Sequence, residues 1–478
     1  ENDKLFSVSA SKSRSGRYLW VSTASSETYE VHFLDLQTAA APLTLAQPRV
    51  FELKYEVEHD GRDGFIIWTN KDGAKNNRIM WTSIKSPSAD SWVEIIPYDV
   101  SRKIDSCEVF QDFVVLAGRQ SGLTRLWLLS IDSATGNVNP ESFRRVEFDE
   151  ELYEVAPGVN KMFETPFLRI VYSSLATPRR WIDMDMRPGV ATRDILVKEQ
   201  QVLNFDRSQY TCRRIFATAP DKTEIPMSLV HRRDLYGDGT DGVMPLLPKP
   251  LHLYGYGCYG TCSDPSFDRF ILPYLNRGMI YCIAHVRGGG ELGEDWYEQG
   301  KYLRTRNRFS DFVACAEHLV SQGFTTPEIM SCEGCSAGGL LVGSVANMRP
   351  DLFKAIVADV PYVDAVVTMC DPSIPLVTVE WEEYGNPNTP KYFDYYLSYS
   401  PMDNVRAQPY PNILITAGLH DPRVCYWEPA KWATKLRSLK TDSNVVIAKF
   451  ELESGHFSAS DRYRKMRETA FDRYRKMR

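Results

Sequence analysis

Ser331–Leu341 reads "SCEGCSAGGLL" and superimposes two chemistries on one turn of chain. Cys332-Glu333-Gly334-Cys335 is a C-x-x-C, the spacing of a redox pair or of half a zinc site. Gly334-Cys335-Ser336-Ala337-Gly338 is a G-x-S-x-G, the spacing of a nucleophile elbow. An elbow needs a strand, a sharp turn and a helix. "EIMSCE" before the motif is a short strand-like run, and "AGGLLVGSVANM" after it has the composition of a buried helix. Small residues two positions either side of Ser336 let the chain turn, and the following helix N-terminus favours negative charge.

A serine nucleophile needs a base, and the base an orienting acid. In α/β-hydrolases these follow in the order Ser, Asp or Glu, His. Two histidines follow Ser336, His420 and His456. His456, in "ESGHFS", comes after the strand-like "VVIAKFEL", and Asp421, in "GLHDPRV", after "NILITAGL". The expected triad is Ser336, Asp421 and His456, with Asp359 and Asp364 as alternative acids. Each member would sit at the C-terminal end of a strand, where such sheets place function. The C-x-x-C competes poorly, because no second C-x-x-C, C-x-x-H or H-x-x-x-H accompanies it. Cys335 still adjoins the nucleophile at a helix N-terminus, where a thiol becomes more reactive, and is a candidate point of alkylating inhibition.

The elbow lies in a region of alternating strand and helix. From about Lys249, "PLHLYGYG", "MIYCIAHV", "FKAIVADV" and the runs above alternate with helical patterns such as "RFSDFVACAEHLVSQG" and "WEPAKWATKLRSLK". That order predicts a mostly parallel, doubly wound sheet. The first 190 residues differ. Tyr18–Leu36, Phe65–Ile84, Phe113–Ile131 and Leu168–Met186 share one plan: a β-type run, about eight polar or turn residues, and a second alternating run. Their openings are 47, 48 and 55 residues apart, the period of propeller blades. The expected architecture is a partial β-propeller of about four blades over residues 1–200 and an α/β-hydrolase domain over 201–478.

Composition narrows the remaining classes. Among 478 residues, 43% are hydrophobic and 25% charged, ordinary for a globular chain. A net charge of -6 gives no footprint for nucleic acid. No apolar run approaches the ~20 residues of a membrane helix, and no signal peptide is visible at the start. Ten cysteines without dense spacing fit reduced thiols and a cytoplasmic location.

The chain resembles the prolyl oligopeptidase family of serine peptidases, most closely its branch that cleaves after Arg or Lys. The resemblance rests on "LYGYGCYG", "HVRGGGELGEDWYEQGKYL", "SAGGLL", "MRPDLFKAIVADVPYVD", "SIPLVTVEWEEYGNPN", "YSPMDNV" and "GLHDPRVCYWEPAKWATKLR". It implies a propeller covering the mouth of a hydrolase domain, a monomer or homodimer, and cleavage of short basic peptides without metal or organic cofactor. It assigns Tyr256 and the Ala337 amide to the oxyanion, Glu380 and Glu382 to the basic P1 side chain, Asp264 to a basic P2 residue and Arg423 to the substrate backbone. An oxyanion donor must be fixed before charge develops, and Tyr256 follows a buried strand-like run, as that role requires. Three glutamates in "EWEEY" would otherwise read as a solvated acidic face; within this motif they suit a guanidinium.

Three departures from that family stand out. Four repeats are fewer than the seven blades such proteins carry, so an incomplete propeller is expected. Ser266 stands where many relatives have a second acid beside Asp264, which weakens the expected P2 selectivity. Asp461–Arg467 recurs verbatim as Asp472–Arg478, and this basic duplication is no sign of nucleic-acid binding. Competing readings are an esterase or aminoacyl-releasing peptidase on the same fold, and an inactive fragment.

Overall fold

The computed structural model describes residues 1–132, 135–187, 194–236 and 247–457. The duplicated heptapeptides lie outside them. The chain divides into two compact units. The first comprises Glu1–Ser174, Pro178–Gln201 and Leu292–Asp295; the second comprises Leu175–Thr177, Val202–Glu291 and Trp296–Arg478.

Among the described residues, the first unit holds four four-stranded antiparallel sheets, each a meander of consecutive strands. The second sheet is typical: Tyr55–His59, Gly64–Thr69, Arg78–Ser83 and Val93–Ile96. The four hairpins expected from sequence are the middle strand pairs of the four sheets. Their turns are not uniformly eight residues long. Phe113–Gln120 and Leu123–Ile131 pair right up to Gln120 and Leu123, leaving two residues between them. Ser121 (φ 54°) and Gly122 (φ 77°) both take the left-handed backbone of a tight hairpin turn.

Alternation along each strand divides its side chains between two cores. On Gly64–Thr69, Phe65 and Ile67 pack with Tyr18, Trp20, Phe33 and Tyr55. Ile66 and Trp68 pack on the opposite face with Ile79, Val114, Leu116 and Trp127. All six residues of the strand are buried, which explains the unbroken apolar run "FIIW". The third and fourth sheets share a further core that includes Val115, Leu126, Leu128, Leu168 and Ile170.

The second unit is built on one eight-stranded sheet. Its spatial order is Tyr210–Thr218, Glu224–Arg232, Ile280–Ala284, Leu251–Gly255, Met330–Cys335, Ala355–Asp359, Asn412–Gly418 and Val446–Glu451. The last six strands run parallel, and the first two form an antiparallel hairpin on one edge. Helix Ala337–Met348 is buried along almost its whole length, and helix Arg306–Ser321 buries Phe309, Phe312 and Leu319 together with the charged Arg308 and Asp311. From Leu251–Gly255 the chain crosses to one side, to Ile280–Ala284. It then returns past its starting strand to Met330–Cys335 on the other side. This change of direction is a topological switch point, and open α/β sheets place ligands beyond the carboxyl ends of the strands there. Those two carboxyl ends lead into Tyr256 and Ser336. Among the described residues no helix is long and apolar enough to cross a membrane.

Phe65 is the point at which to test the first unit. It is 1% exposed, and its ring lies 5.1–5.6 Å from those of Tyr18, Trp20 and Phe33. Phe65→Ala is expected to destabilise this unit by about 3–5 kcal/mol, the cost of a cavity in a close-packed aromatic core. Urea denaturation followed by tryptophan fluorescence should show a lower midpoint with an unchanged slope.

Candidate active site

Ser336 is the residue on which the elbow turns. It precedes helix Ala337–Met348 with φ 57° and ψ −114°, a conformation non-glycine residues rarely adopt. The turn is braced on both sides. The Ser336 N–H donates to the Asp359 carbonyl at 2.9 Å, and its own carbonyl accepts from Gly339 N (2.8 Å) and Tyr362 N (3.1 Å). The flanking glycines are required by space. A Cβ on Gly334 would stand 2.0 Å from the Gly338 carbonyl oxygen, and one on Gly338 would stand 2.8 Å from that of Gly255. Cys332 and Cys335 lie three positions apart on one strand and so point to opposite faces of the sheet. That geometry cannot close a disulfide between them or join them to one metal.

Asp421 follows strand Asn412–Gly418, and His456 follows Val446–Glu451. His456 Nδ1 lies 2.6 Å from Asp421 Oδ2. Asp421 Oδ1 accepts from the Arg423 N–H (2.8 Å) and the Val424 N–H (3.0 Å), so the carboxylate is fixed before it orients the ring. A proton on Nδ1 facing the carboxylate leaves Nε2 as the basic nitrogen. The alternative acids are engaged elsewhere: Asp359 accepts from Thr416 Oγ1 and Asp364 pairs with Lys431.

Tyr256 comes directly after Leu251–Gly255, and its ring lies against the start of the elbow helix. A Cβ on Gly338 would stand 3.4 Å from Tyr256 Cδ2. Burial pushes the Tyr256 hydroxyl well above the usual tyrosine value, which keeps it an O–H donor. Ala337 is buried at the first position of the helix, where backbone N–H groups have no partner within the helix.

Glu380, Glu382 and Glu383 lie on helix Val377–Tyr384, which the sequence reading did not place. The helix separates them. Glu380 and Glu383 are one turn apart on one face, and Glu382 projects from another. Glu380 is half-buried and accepts from the Tyr259 hydroxyl at 2.7 Å. Burial pushes its carboxyl up, while the Tyr259 hydrogen bond and the charge of Arg423 act in the opposite direction. Among the described residues no Lys or Arg forms an ion pair with Glu380. Glu383 is buried against the Arg308 guanidinium at 3.2 Å. Glu382 is half-buried, as is Asp264, whose carbonyl accepts from Ser266 N at 2.8 Å. The Arg423 guanidinium lies 5.6 Å from the Phe457 ring centre, and that ring is 5.3 Å from His456.

Sequence reasoning missed Tyr259 and Glu428. Tyr259 stood in plain view in "YGCYG", between two glycines, but an aromatic in a turn gives no signal for its partner. Glu428, on helix Trp427–Leu439, is fully buried. It accepts from Val363 N (3.0 Å), Asp364 N (2.9 Å) and Thr368 Oγ1 (2.7 Å), and so pins the loop behind the elbow.

With this geometry in hand, comparison with known proteins is specific. Residues 1–193 match the "Prolyl oligopeptidase, N-terminal beta-propeller domain" and residues 265–474 match the "Prolyl oligopeptidase family". Over 470 residues the chain is 40% identical to Protease 2 of Moraxella lacunata, covering 98% of this chain and 65% of that one. It is 36% identical to dipeptidyl aminopeptidase BI of Pseudoxanthomonas mexicana, covering 98% and 62%. The structure of oligopeptidase B from Trypanosoma brucei with covalently bound antipain, closed form, matches with a TM-score of 0.92 at 49% identity, over 99% of this chain and 66% of that one. The chain belongs to the prolyl oligopeptidase family: an α/β-hydrolase domain joined to a propeller domain that is partly represented here. It spans less than two thirds of the length of the curated relatives it matches.

Glu428 makes a stability prediction with a definite sign. Burial pushes its carboxyl up to about 7, against an ordinary 4.5. The neutral form is the one the fold favours. Its stabilising effect is therefore complete below the unfolded value and is lost as pH rises through the folded one. Glu428→Gln keeps the shape and removes this dependence. The variant is expected to match the parent near about pH 4.5 and exceed it by roughly 1–3 kcal/mol above about pH 8. Urea titrations at the two pH values measure the difference.

Proposed function

We propose that this chain carries the active site of a serine oligopeptidase that cleaves short peptides on the carboxyl side of Arg or Lys. The observations that carry the reading are the 2.6 Å His456–Asp421 contact and the strained Ser336 elbow, each at the carboxyl end of a strand of the same parallel sheet. Ser336 Oγ attacks the scissile carbonyl carbon and His456 Nε2 takes its proton. The Ala337 N–H and the Tyr256 O–H hold the oxyanion of the tetrahedral intermediate. His456 returns the proton to the leaving amine as the C–N bond breaks. Water, giving a proton to the same nitrogen, then attacks the acyl carbon, and the bond from that carbon to Ser336 Oγ breaks as His456 returns the proton to Oγ. Apart from substrate and water, every group in these steps belongs to the chain, so the mechanism calls on no cofactor or metal.

Basic specificity is supported by Glu380, a half-buried carboxylate that the described residues leave without an ion-pair partner and that a substrate guanidinium would complete. Glu382 is the second acid of the same reading, and Asp264 and Arg423 are assigned to the P2 side chain and the substrate backbone. The likeness to a relative named oligopeptidase B agrees with this specificity. The likeness to dipeptidyl aminopeptidase BI favours a second reading, release of dipeptides from free N-termini. Substrates with blocked and free N-termini separate the two.

Ser336→Ala is expected to lower kcat about 10⁶-fold, because triad members act as a unit. Cys332→Ser and Cys335→Ser should keep most of the activity. A live Ser336→Ala protein with dead cysteine variants would make sulfur the nucleophile. Glu380→Gln should lower kcat/KM on Arg peptides by about 10²–10⁴, the cost of leaving a desolvated charge unpaired, and lower an uncharged ester far less. Glu382→Gln, from a different face of the helix, should cost less. Equal losses on both substrates for Glu380→Gln would assign it to the fold instead of to P1.

A further inference from the structure

Tyr259 contacts two of the three glutamates at once. Its backbone N–H donates to Glu383 Oε1 at 3.2 Å, and its hydroxyl donates to Glu380 Oε2 at 2.7 Å. One residue thus spans one turn of helix Val377–Tyr384 on a single face. It does so from a left-handed backbone, φ 59°, between Gly257 (φ 68°) and Gly260 (φ 64°). The loop is short and sharply folded, and it also carries Tyr256, whose ring centre is 6.4 Å from that of Tyr259.

The two ends of this bridge differ in rigidity. Glu383 also accepts from the Tyr297 hydroxyl (2.7 Å), the Cys258 thiol (3.1 Å) and Arg308 Nη2 (3.2 Å). Arg308 is itself fully buried and donates to Cys258 Sγ at 2.9 Å and to the Gly300 carbonyl. Glu383 is therefore locked to the Tyr256–Gly260 loop and to helix Arg306–Ser321. Glu380 is half-buried, and the hydroxyl of Tyr259 is the hydrogen-bond donor that fixes its carboxylate.

We propose that Tyr259 is the positioning residue of the P1 acid: it fixes the Glu380 carboxylate in register with the loop that carries the oxyanion donor Tyr256. This rests on the reading of Glu380 as the P1 acid. Its consequence is that the carboxylate is pre-aimed before substrate arrives, so that less ordering is needed on binding. A donor to the ionised form also keeps the carboxyl ionised in a half-buried place. The other groups facing Glu380 are Glu383 on its own helix, Tyr256 on the oxyanion loop, Tyr396 on helix Pro390–Leu397 and Arg423 after strand Asn412–Gly418. Glu383 opposes ionisation and Arg423 favours it.

The test is Tyr259→Phe, which keeps the ring and the N–H to Glu383 and removes only the hydroxyl. The readout is the ratio of kcat/KM on a blocked Arg peptide to kcat/KM on an uncharged ester, followed with pH. Titration of the triad cancels in this ratio, leaving the P1 acid. The ratio is expected to fall about 3–10-fold near pH 8, the net worth of one ordinary hydrogen bond at a partly exposed place. The loss should deepen toward about pH 5.5, because a carboxyl without its donor protonates at higher pH. An unchanged ratio across pH, or equal losses on the two substrates, overturns the proposal. A parent protein that does not prefer Arg, or a Glu380→Gln variant that keeps the preference, overturns the reading of Glu380 and this inference with it. The two failures are told apart by which protein shows them.

Discussion

Ser336 at φ 57° is held in a conformation that costs a non-glycine residue on the order of 1–3 kcal/mol. Such a conformation persists only where the surroundings determine it. Here they do so through hydrogen bonds to Asp359, Gly339 and Tyr362, and through two glycines whose neighbours leave no room for a Cβ. Sheet, elbow helix and loop supply these together. Asp359 ends the neighbouring strand, Tyr362 lies in the loop after it, and Glu428 holds that loop from a separate helix. The strain is paid at one point by packing gathered from four elements.

The acidic helix shows how side chains of one type divide between structure and chemistry. Glu383 is spent on the fold, enclosed by Arg308, Cys258, Tyr259 and Tyr297. A buried carboxylate of that kind tolerates no loss of its partners, since an unpaired charge remains behind. Glu380 stays half-exposed and keeps capacity for a further cation. Their difference comes from helical spacing and from what lies opposite each, not from residue type.

Much of this was legible in the chain. Continuous apolar runs marked the parallel strands, and the hairpins showed through alternation. The triad order and the G-x-S-x-G could be joined because each member followed a strand-like run, and Asp421 and His456 do meet. Other parts left no trace. Ser7–Lys12 is exposed at every position and has no apolar pattern to read. The antiparallel edge hairpin Tyr210–Arg232 mixes charge into its strands, with Arg213 and Arg214 in the first. Helix Val377–Tyr384 spans two turns, begins with β-branched residues and is fixed by tertiary contacts. Which glutamate meets the Tyr259 hydroxyl and which meets Arg308 depends on partners more than 70 residues away in sequence.

The strand Gly64–Thr69 belongs to two cores at once, and the strand Phe113–Gln120 does likewise, with Val114 and Leu116 on one side and Phe113 and Val115 on the other. The apolar cores of the first unit thus couple each sheet to its neighbours in the row, as in a repeat protein, while Arg14 of the first sheet also reaches the Val109 carbonyl of the third and the Asn160 carbonyl in the fourth. A defect in either inner sheet weakens two of these cores, while one in an outer sheet weakens one. Cooperativity is thus graded by position along the row, and the inner strands, buried on both sides, are where local openings of this unit should be rarest.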